Sequence, residues 1–135
     1  MAEVIAGAVF KNRGIEAEVS SRGIFAEEGN SASEYARLAV RNYGLSLEEH
    51  VAKPLTSKDI EGADLILTMT VGHKNLIKNK IDSDRVYTLK GFVYGTDSDI
   101  SDPFGQGPSV YMECAEELID CINVLAERLG ESQKN

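Results

Sequence analysis

The sequence contains few of the residues that most often build a reactive centre. Its 135 residues include two cysteines, two histidines and no tryptophan. It has no glycine-rich phosphate loop, and no Cys or Ser lies on a plausible strand-to-helix turn. A nucleophile with an anion cradle, the usual companion of a general acid, is therefore not evident within these residues.

An excess of basic residues is also lacking. The chain carries 14 Lys and Arg against 22 Asp and Glu, a formal net charge of −8, which argues against nucleic acid and anionic membranes as partners. No run approaches the ~18 apolar residues of a membrane span. Glu3, Lys11 and Arg13 lie in a helical pattern near the start, so no signal peptide is expected. Two cysteines without a secretory signal predict a reducing cytoplasm and no disulfide.

The pattern of apolar residues predicts a single α/β domain over residues 1–135, a natural length for one domain with 42% hydrophobic residues. Strands are predicted at Glu16–Phe25, Ala63–Met69 and Arg85–Leu89. Helices are predicted over 2–13, from the capping box at 31–34 to Gly44, over 56–61, from Thr70 to Ile81 and from Pro108 to Gly130. This alternation indicates a parallel sheet, with a site at the carboxyl ends of its strands.

The turn Asp102-Pro103-Phe104-Gly105 is the most informative motif that is present. Pro103 fixes its own φ and biases Asp102 toward an extended shape, so one carboxyl is held on a rigid loop beside an aromatic ring. This arrangement suits a general acid. From the residues alone, Asp102 as an Asx-turn residue at a helix start stays open as an alternative.

Other polar and reactive residues have structural interpretations. From the sequence alone, His50 is a structural histidine, Ser21 a strand-end hydroxyl and His73 a solvated residue just after the Thr70 cap. Two helical turns separate Cys114 from Cys121, which places both on the apolar face of the last helix as small buried hydrophobes. No acid or histidine joins them at ligand spacing. No metal and no cofactor are predicted.

Six patches lie in order along nearly the whole chain: Met1–Glu3, Ser20–Gly23, His50–Thr56, Ala63–Met69, Val86–Lys90 and Asp102–Gly105. Together they resemble the low-molecular-weight protein tyrosine phosphatases. No single patch is decisive, but their shared order makes the resemblance strong. The Pro-Leu-Thr and Asp-Pro-Phe-Gly segments are closer to the bacterial branch that includes protein-arginine phosphatases.

The resemblance implies a three-layer, flavodoxin-like α/β fold and a cysteine-dependent phosphoprotein phosphatase without cofactor. It assigns Asp102 as the general acid and Phe104 as a wall of the substrate pocket. Ser21 and His50 become groups that brace an Asn of the phosphate loop. In such a family the first strand and the Cys-x5-Arg-Ser-Pro loop would precede Met1. The expectation is therefore an N-terminally truncated chain that is inactive alone and self-associates through its incomplete sheet.

Two alternatives accompany this interpretation. One is a catalytically silent remnant that acts as a binding or regulatory module. The other is a relative of the arsenate reductases, suggested by the spacing of Cys114 and Cys121 but disfavoured by their position on the last helix. For the phosphatase itself, the sequence does not choose between phosphotyrosine and phosphoarginine in a protein substrate.

Overall fold

The computed structural model describes residues 1–23, 34–47, 53–80 and 84–133. The chain forms two compact units. The helical unit comprises residues 1–54 and 102–135, and the sheet unit comprises residues 55–101. Along the chain the elements are α1 (Ala2–Asn12), α2 (Glu34–Arg41), α3 (Ser57–Gly62), β1 (Ile66–Thr68), α4 (Val71–Lys80), β2 (Val86–Thr88), α5 (Leu89–Tyr94) and α6 (Pro108–Gln133).

The described residues of the helical unit form three helices, and α1 and α2 both pack against α6. Helix α1 has an acid in its first turn and a base in its last, Glu3 and Lys11, which matches the helix dipole. Helix α2 buries three apolar residues on one side. A cluster of buried side chains joins α2, the segment after it and α6: Ala36, Ala39, Val40, Leu47, Tyr111 and Ala115.

A short parallel sheet organises the sheet unit. Strands β1 and β2 pair in register, with Ile66 opposite Val86. Helices α4 and α5 pack on both strands, and a small apolar cluster contains Ile60, Ile77 and Val86. The predicted α/β class with parallel strands is confirmed, and the two strands lie inside the predicted ranges Ala63–Met69 and Arg85–Leu89.

The strand predicted at Glu16–Phe25 is wrong over the residues that the structure describes, which end at Gly23. Residues 15–22 form no strand, and Gly23 makes only an isolated parallel bridge with Pro54. Residues 16–18 are exposed on both faces, so they offer no apolar side to pack on a sheet. The Ser21 amide donates to the Glu3 carboxylate at 2.8 Å instead of to a neighbouring strand.

Two helix boundaries also differ from the prediction. Leu89, predicted as the end of a strand, begins α5, because the Thr88 hydroxyl accepts from the Gly91 amide and caps the helix. Gly95 ends α5 with φ +82, in the left-handed region that favours glycine. Helix α6 continues past Gly130 to Gln133; a single helical glycine costs only about 1 kcal/mol, and the rest of the long helix offsets this.

The two predicted threonine caps are confirmed. Thr56 and Asp59 form a reciprocal capping box at the start of α3. The Thr70 hydroxyl accepts from the His73 amide at 3.1 Å at the start of α4. Ser31, predicted to cap α2, lies outside the described residues. Within the described part of the chain, no helix is long and apolar enough to span a membrane.

Candidate active site

Asp102 lies in an Asx turn. Its Oδ1 accepts a hydrogen bond from the Phe104 amide at 3.0 Å, which fixes the carboxyl against the backbone two residues on. The side chain is exposed. An Asx turn uses one carboxylate oxygen, so the other can carry a proton toward a leaving group. The Asx-turn interpretation and the general-acid interpretation of Asp102 are therefore geometrically compatible.

The residues after Asp102 tighten the loop and start α6. The Gln106 amide donates to the Pro103 carbonyl at 2.9 Å. Gly105, the third residue of this β-turn, has φ +79, the positive value that a type II turn requires there. Pro108 then occupies the first position of α6, where its missing N–H costs nothing. The sequence thus dictates a rigid loop leading into a long helix.

Phe104 has 81% of its surface exposed, the largest fraction among the exposed large hydrophobic residues of the described chain. A phenyl ring gains free energy when it leaves water. A ring left exposed beside a fixed carboxyl is suited to cover an apolar part of a bound substrate, as the resemblance implies for a pocket wall.

Ser21 lies against the first turn of α1. Its amide and its hydroxyl both donate to Oε1 of Glu3, at 2.8 and 3.3 Å. The Arg22 guanidinium donates to the Ser21 carbonyl at 2.7 Å. Ser21 is therefore half-buried and fixed at the start of α1. Sequence reasoning missed Glu3 as its partner; an acid in a helix's first turn was the available signal.

His50, the other predicted bracing residue, lies outside the described residues. His73 is half-buried rather than fully solvated. The predicted burial of Cys114 and Cys121 is confirmed, with 8% and 1% of their surfaces exposed, and neither is in a disulfide. Asp102 and Phe104 are thus the predicted site residues that one hydrogen bond brings together.

Electrostatics disfavour Cys114 as a nucleophile. Burial raises the pKa of its thiol, and the charges of Glu117 and Asp102 raise it further, while the Met1 amino group opposes them. A thiol with a raised pKa is largely protonated at neutral pH, and the thiolate is the reactive form. In the described part of the chain, no three His, Cys, Asp or Glu side chains are grouped to hold a metal ion.

The low molecular weight phosphotyrosine protein phosphatase family matches residues 1–135. A protein-arginine-phosphatase from Geobacillus stearothermophilus is 39% identical over 132 residues, 96% of this chain and 88% of that protein. The low molecular weight protein-tyrosine-phosphatase PtpB from Staphylococcus haemolyticus is 37% identical over 122 residues, 90% of this chain and 86% of that protein.

A solved structure gives the same result for the fold. The crystal structure of a YwlE mutant from Bacillus subtilis superposes with a TM-score of 0.91 at 34% identity, covering 96% of this chain and 88% of that one. The fold is thus a flavodoxin-like α/β fold, and the class is that of the small protein phosphatases. The chain belongs to the low molecular weight phosphotyrosine protein phosphatase family.

Proposed function

We propose that this protein hydrolyses phosphorylated arginine in proteins, with Asp102 as general acid and base and Phe104 as a wall of the substrate pocket. The observation that carries the proposal is the exposed Asp102 carboxyl, held by the Phe104 amide at 3.0 Å. A protein-arginine-phosphatase aligns with 96% of this chain at 39% identity and a protein-tyrosine-phosphatase with 90% at 37% identity. The longer and more similar alignment is the reason for proposing phosphoarginine first.

The proposed chemistry has two steps. A loop thiolate attacks phosphorus, the P–N bond breaks, and Asp102 gives its proton to the leaving guanidine nitrogen. Water then attacks the phosphocysteine; Asp102 takes a proton from it, and the S–P bond breaks to release phosphate and thiolate. Phosphotyrosine differs only in that its P–O bond breaks and the phenol oxygen receives the proton.

The 135 residues do not themselves include a Cys-x5-Arg motif. We infer that these residues, which hold no such nucleophile and phosphate loop, show no phosphatase activity by themselves. General acid catalysis alone contributes about 10²–10⁴-fold, far below the rate enhancement of an enzyme. Ser21 and His50 would brace the loop in the extended protein. A cytoplasmic location, where the thiols stay reduced, is part of the same proposal.

The test compares the 135-residue chain with a form extended by a strand and Cys-x5-Arg-Ser-Pro. The extended form should release phosphate from p-nitrophenyl phosphate and, faster, from phosphoarginine peptides than from phosphotyrosine peptides; the shorter chain should not. Asp102→Asn should slow phosphate release most for substrates with poor leaving groups. Asp120→Asn, at an exposed position on α6, should leave the rate of every substrate unchanged. Turnover by the shorter chain, or an equal loss for all leaving groups in Asp102→Asn, would contradict the proposal.

The short two-stranded sheet supports a proposal about the fold. Within the described residues, the only sheet is the pair β1–β2, and unpaired buried backbone groups cost about 1–3 kcal/mol each. We expect the extended form to melt at a higher temperature, as one domain with one transition, and the shorter chain to self-associate. Calorimetry and light scattering check this; equal melting temperatures and two clean monomers would show that the added strand has no place in the fold.

Neither alternative function gains support from the comparisons. The relatives are named as phosphatases. Cys114 and Cys121 are buried in α6, whereas the cysteines of a reductase relay need to be accessible.

A further inference from the structure

A carboxylate in the sheet unit is held by two side chains from different elements, one of which is itself held by a backbone amide. Asp97 Oδ2 lies 2.6 Å from Nζ of Lys74 on α4. Its Oδ1 accepts from the Thr88 hydroxyl at 2.9 Å at the end of β2. That hydroxyl in turn accepts from the Gly91 amide at 2.8 Å in α5. We call these four residues, Lys74, Thr88, Gly91 and Asp97, the Asp97 clamp.

The Asp97 clamp is tightly built. Thr88 is fully buried, with 0% of its surface exposed. A Cβ atom at Gly91 would collide with Asp97 Oδ1 and lie 2.6 Å from the Thr88 hydroxyl oxygen, so the carboxylate approaches the backbone where only glycine leaves room. Hydrogen bonds from Lys74 and then Thr88 hold the pKa of Asp97 below its ordinary value. The carboxylate is therefore charged at neutral pH.

The chain remains fixed after Asp97. Asp99 Oδ1 accepts from the Val71 amide, at the first residue of α4, at 2.8 Å. The Ile100 amide donates to the Met69 carbonyl at 2.8 Å, just after β1, and the Ile100 side chain is buried. Asp102 follows two residues later, and two residues of extended chain span at most about 7 Å. The clamped segment therefore restricts where the chain can carry Asp102.

We propose that Asp97, acting through the Asp97 clamp, is a positioning residue for the general acid Asp102. The inference rests on the proposed function of Asp102. The clamp fixes one end of the segment that carries the acid, and a displacement of about 1 Å can cost on the order of 10²-fold in rate. Loosening the clamp should therefore weaken proton donation more than it weakens thiolate attack.

The test uses the form extended by the phosphate loop. Asp97→Asn removes the charge that pairs with Lys74 and keeps the side-chain size. Its kcat should fall about tenfold or more for phosphoarginine and alkyl phosphates, whose leaving groups need a proton. For p-nitrophenyl phosphate, whose leaving group needs little protonation, the change should stay within about twofold. KM should hardly change. Asp84→Asn, an exposed carboxylate in the same unit, is the matched control.

A second variant keeps the test informative if Asp97→Asn does not fold. Lys74→Met removes the cation that contacts Asp97, and it should give the same selective loss in kcat, though a smaller one. Lys74→Arg keeps the charge and should retain most of the activity. If the role of Asp97 were purely structural, kcat would fall by the same factor for every substrate, because only the fraction of folded enzyme would change. Equal losses across the substrates, or no loss, in both Asp97→Asn and Lys74→Met would overturn the inference.

The two proposals fail in distinguishable ways. If Asp102→Asn shows selective loss on poor leaving groups and the clamp variants do not, the inference is wrong and the proposed function stands. If the extended wild type is inactive, or Asp102→Asn shows no selectivity, the proposed function is wrong and the inference fails with it.

Discussion

The two units of this protein differ in the size of their apolar clusters and in where their polar contacts lie. The helical unit has the larger cluster, with Val40 and Leu47 almost completely buried among α1, α2 and α6 residues, and it also contains the hydrogen bonds that hold Ser21. The sheet unit has a smaller apolar cluster and holds its loops with side-chain hydrogen bonds in which Thr56, Thr88 and Asp97 take part. Apolar packing tolerates small shifts of position, whereas a hydrogen bond fixes a distance and an angle. The hydrogen bonds of the sheet unit are thus suited to fix the loop before Asp102.

The largest expected effect comes from opening a cavity in the helical unit. Leu47→Ala should lower the free energy of unfolding by about 2–5 kcal/mol, because the leucine is 1% exposed and its removal leaves neighbours without contacts. Leu38→Ala is the matched control, since Leu38 on α2 is 44% exposed. Urea denaturation of both variants measures the difference. Equal losses would show that Leu47 does not belong to the core.

The next effect contrasts one glycine in each unit. Gly91→Ala should destabilise by about 1–3 kcal/mol despite the helix propensity of alanine, because the new methyl group collides with the Asp97 carboxylate. Gly7→Ala on α1, with no atom within 4 Å of the added Cβ, should instead stabilise by up to about 1 kcal/mol. Thermal unfolding of the two variants provides the measurement; a stabilised Gly91→Ala would mean that the Asp97 clamp is loose.

A smaller effect isolates one polar contact of the sheet unit. Thr56→Ala should cost about 1 kcal/mol, because it removes the hydroxyl that accepts from the Asp59 amide at 3.2 Å. Ser57→Ala, the adjacent hydroxyl at the first position of α3, serves as control and should be close to neutral. If the two substitutions had the same effect in denaturant unfolding, the capping box would contribute nothing.

The smallest effect appears in the pH dependence of the helical unit. Burial raises the pKa of the Cys114 thiol in the folded protein, so the unfolded chain loses this proton first as pH rises. Stability should therefore fall above the ordinary thiol pKa of about 8.5 and continue to fall until the folded-state pKa is passed. Cys114→Ala should flatten this alkaline slope. Identical slopes in the two proteins would show that the thiol ionises equally in both states.

The same contrast explains which elements the sequence predicts. Helix α1 and the start of α6 follow from apolar residues at helical spacing, and Thr56 and Thr70 follow from capping patterns, because these signals are local. The strand predicted at Glu16–Phe25 rests on loose alternation, and residues 15–22 form no strand. A strand needs a partner, which no local pattern supplies. The start of α5 differs from the prediction, which places Leu89 in a strand, because Thr88 both ends β2 and caps the helix.

The residues of the candidate site also divide into those that a local pattern predicts and those that only the fold brings together. Asp102 and Phe104 could be selected from a four-residue turn, since Pro103 and Gly105 specify its shape locally. The contacts of Asp97 with Lys74 and Thr88, and of Ser21 with Glu3, join residues that are 9 to 23 positions apart in sequence. Charged and hydroxyl side chains of this kind are common on any surface, so only the folded chain shows which of them meet.

The exposure of Phe104 has a calorimetric consequence. With 81% of its surface in water, the ring contributes to the heat capacity of the unliganded protein through its hydration shell. A ligand that covers the ring removes this shell, so we expect binding to show a negative heat-capacity change, which Phe104→Ala should reduce. Binding enthalpy should consequently become more favourable as the temperature rises, even for a ligand whose polar contacts are unchanged.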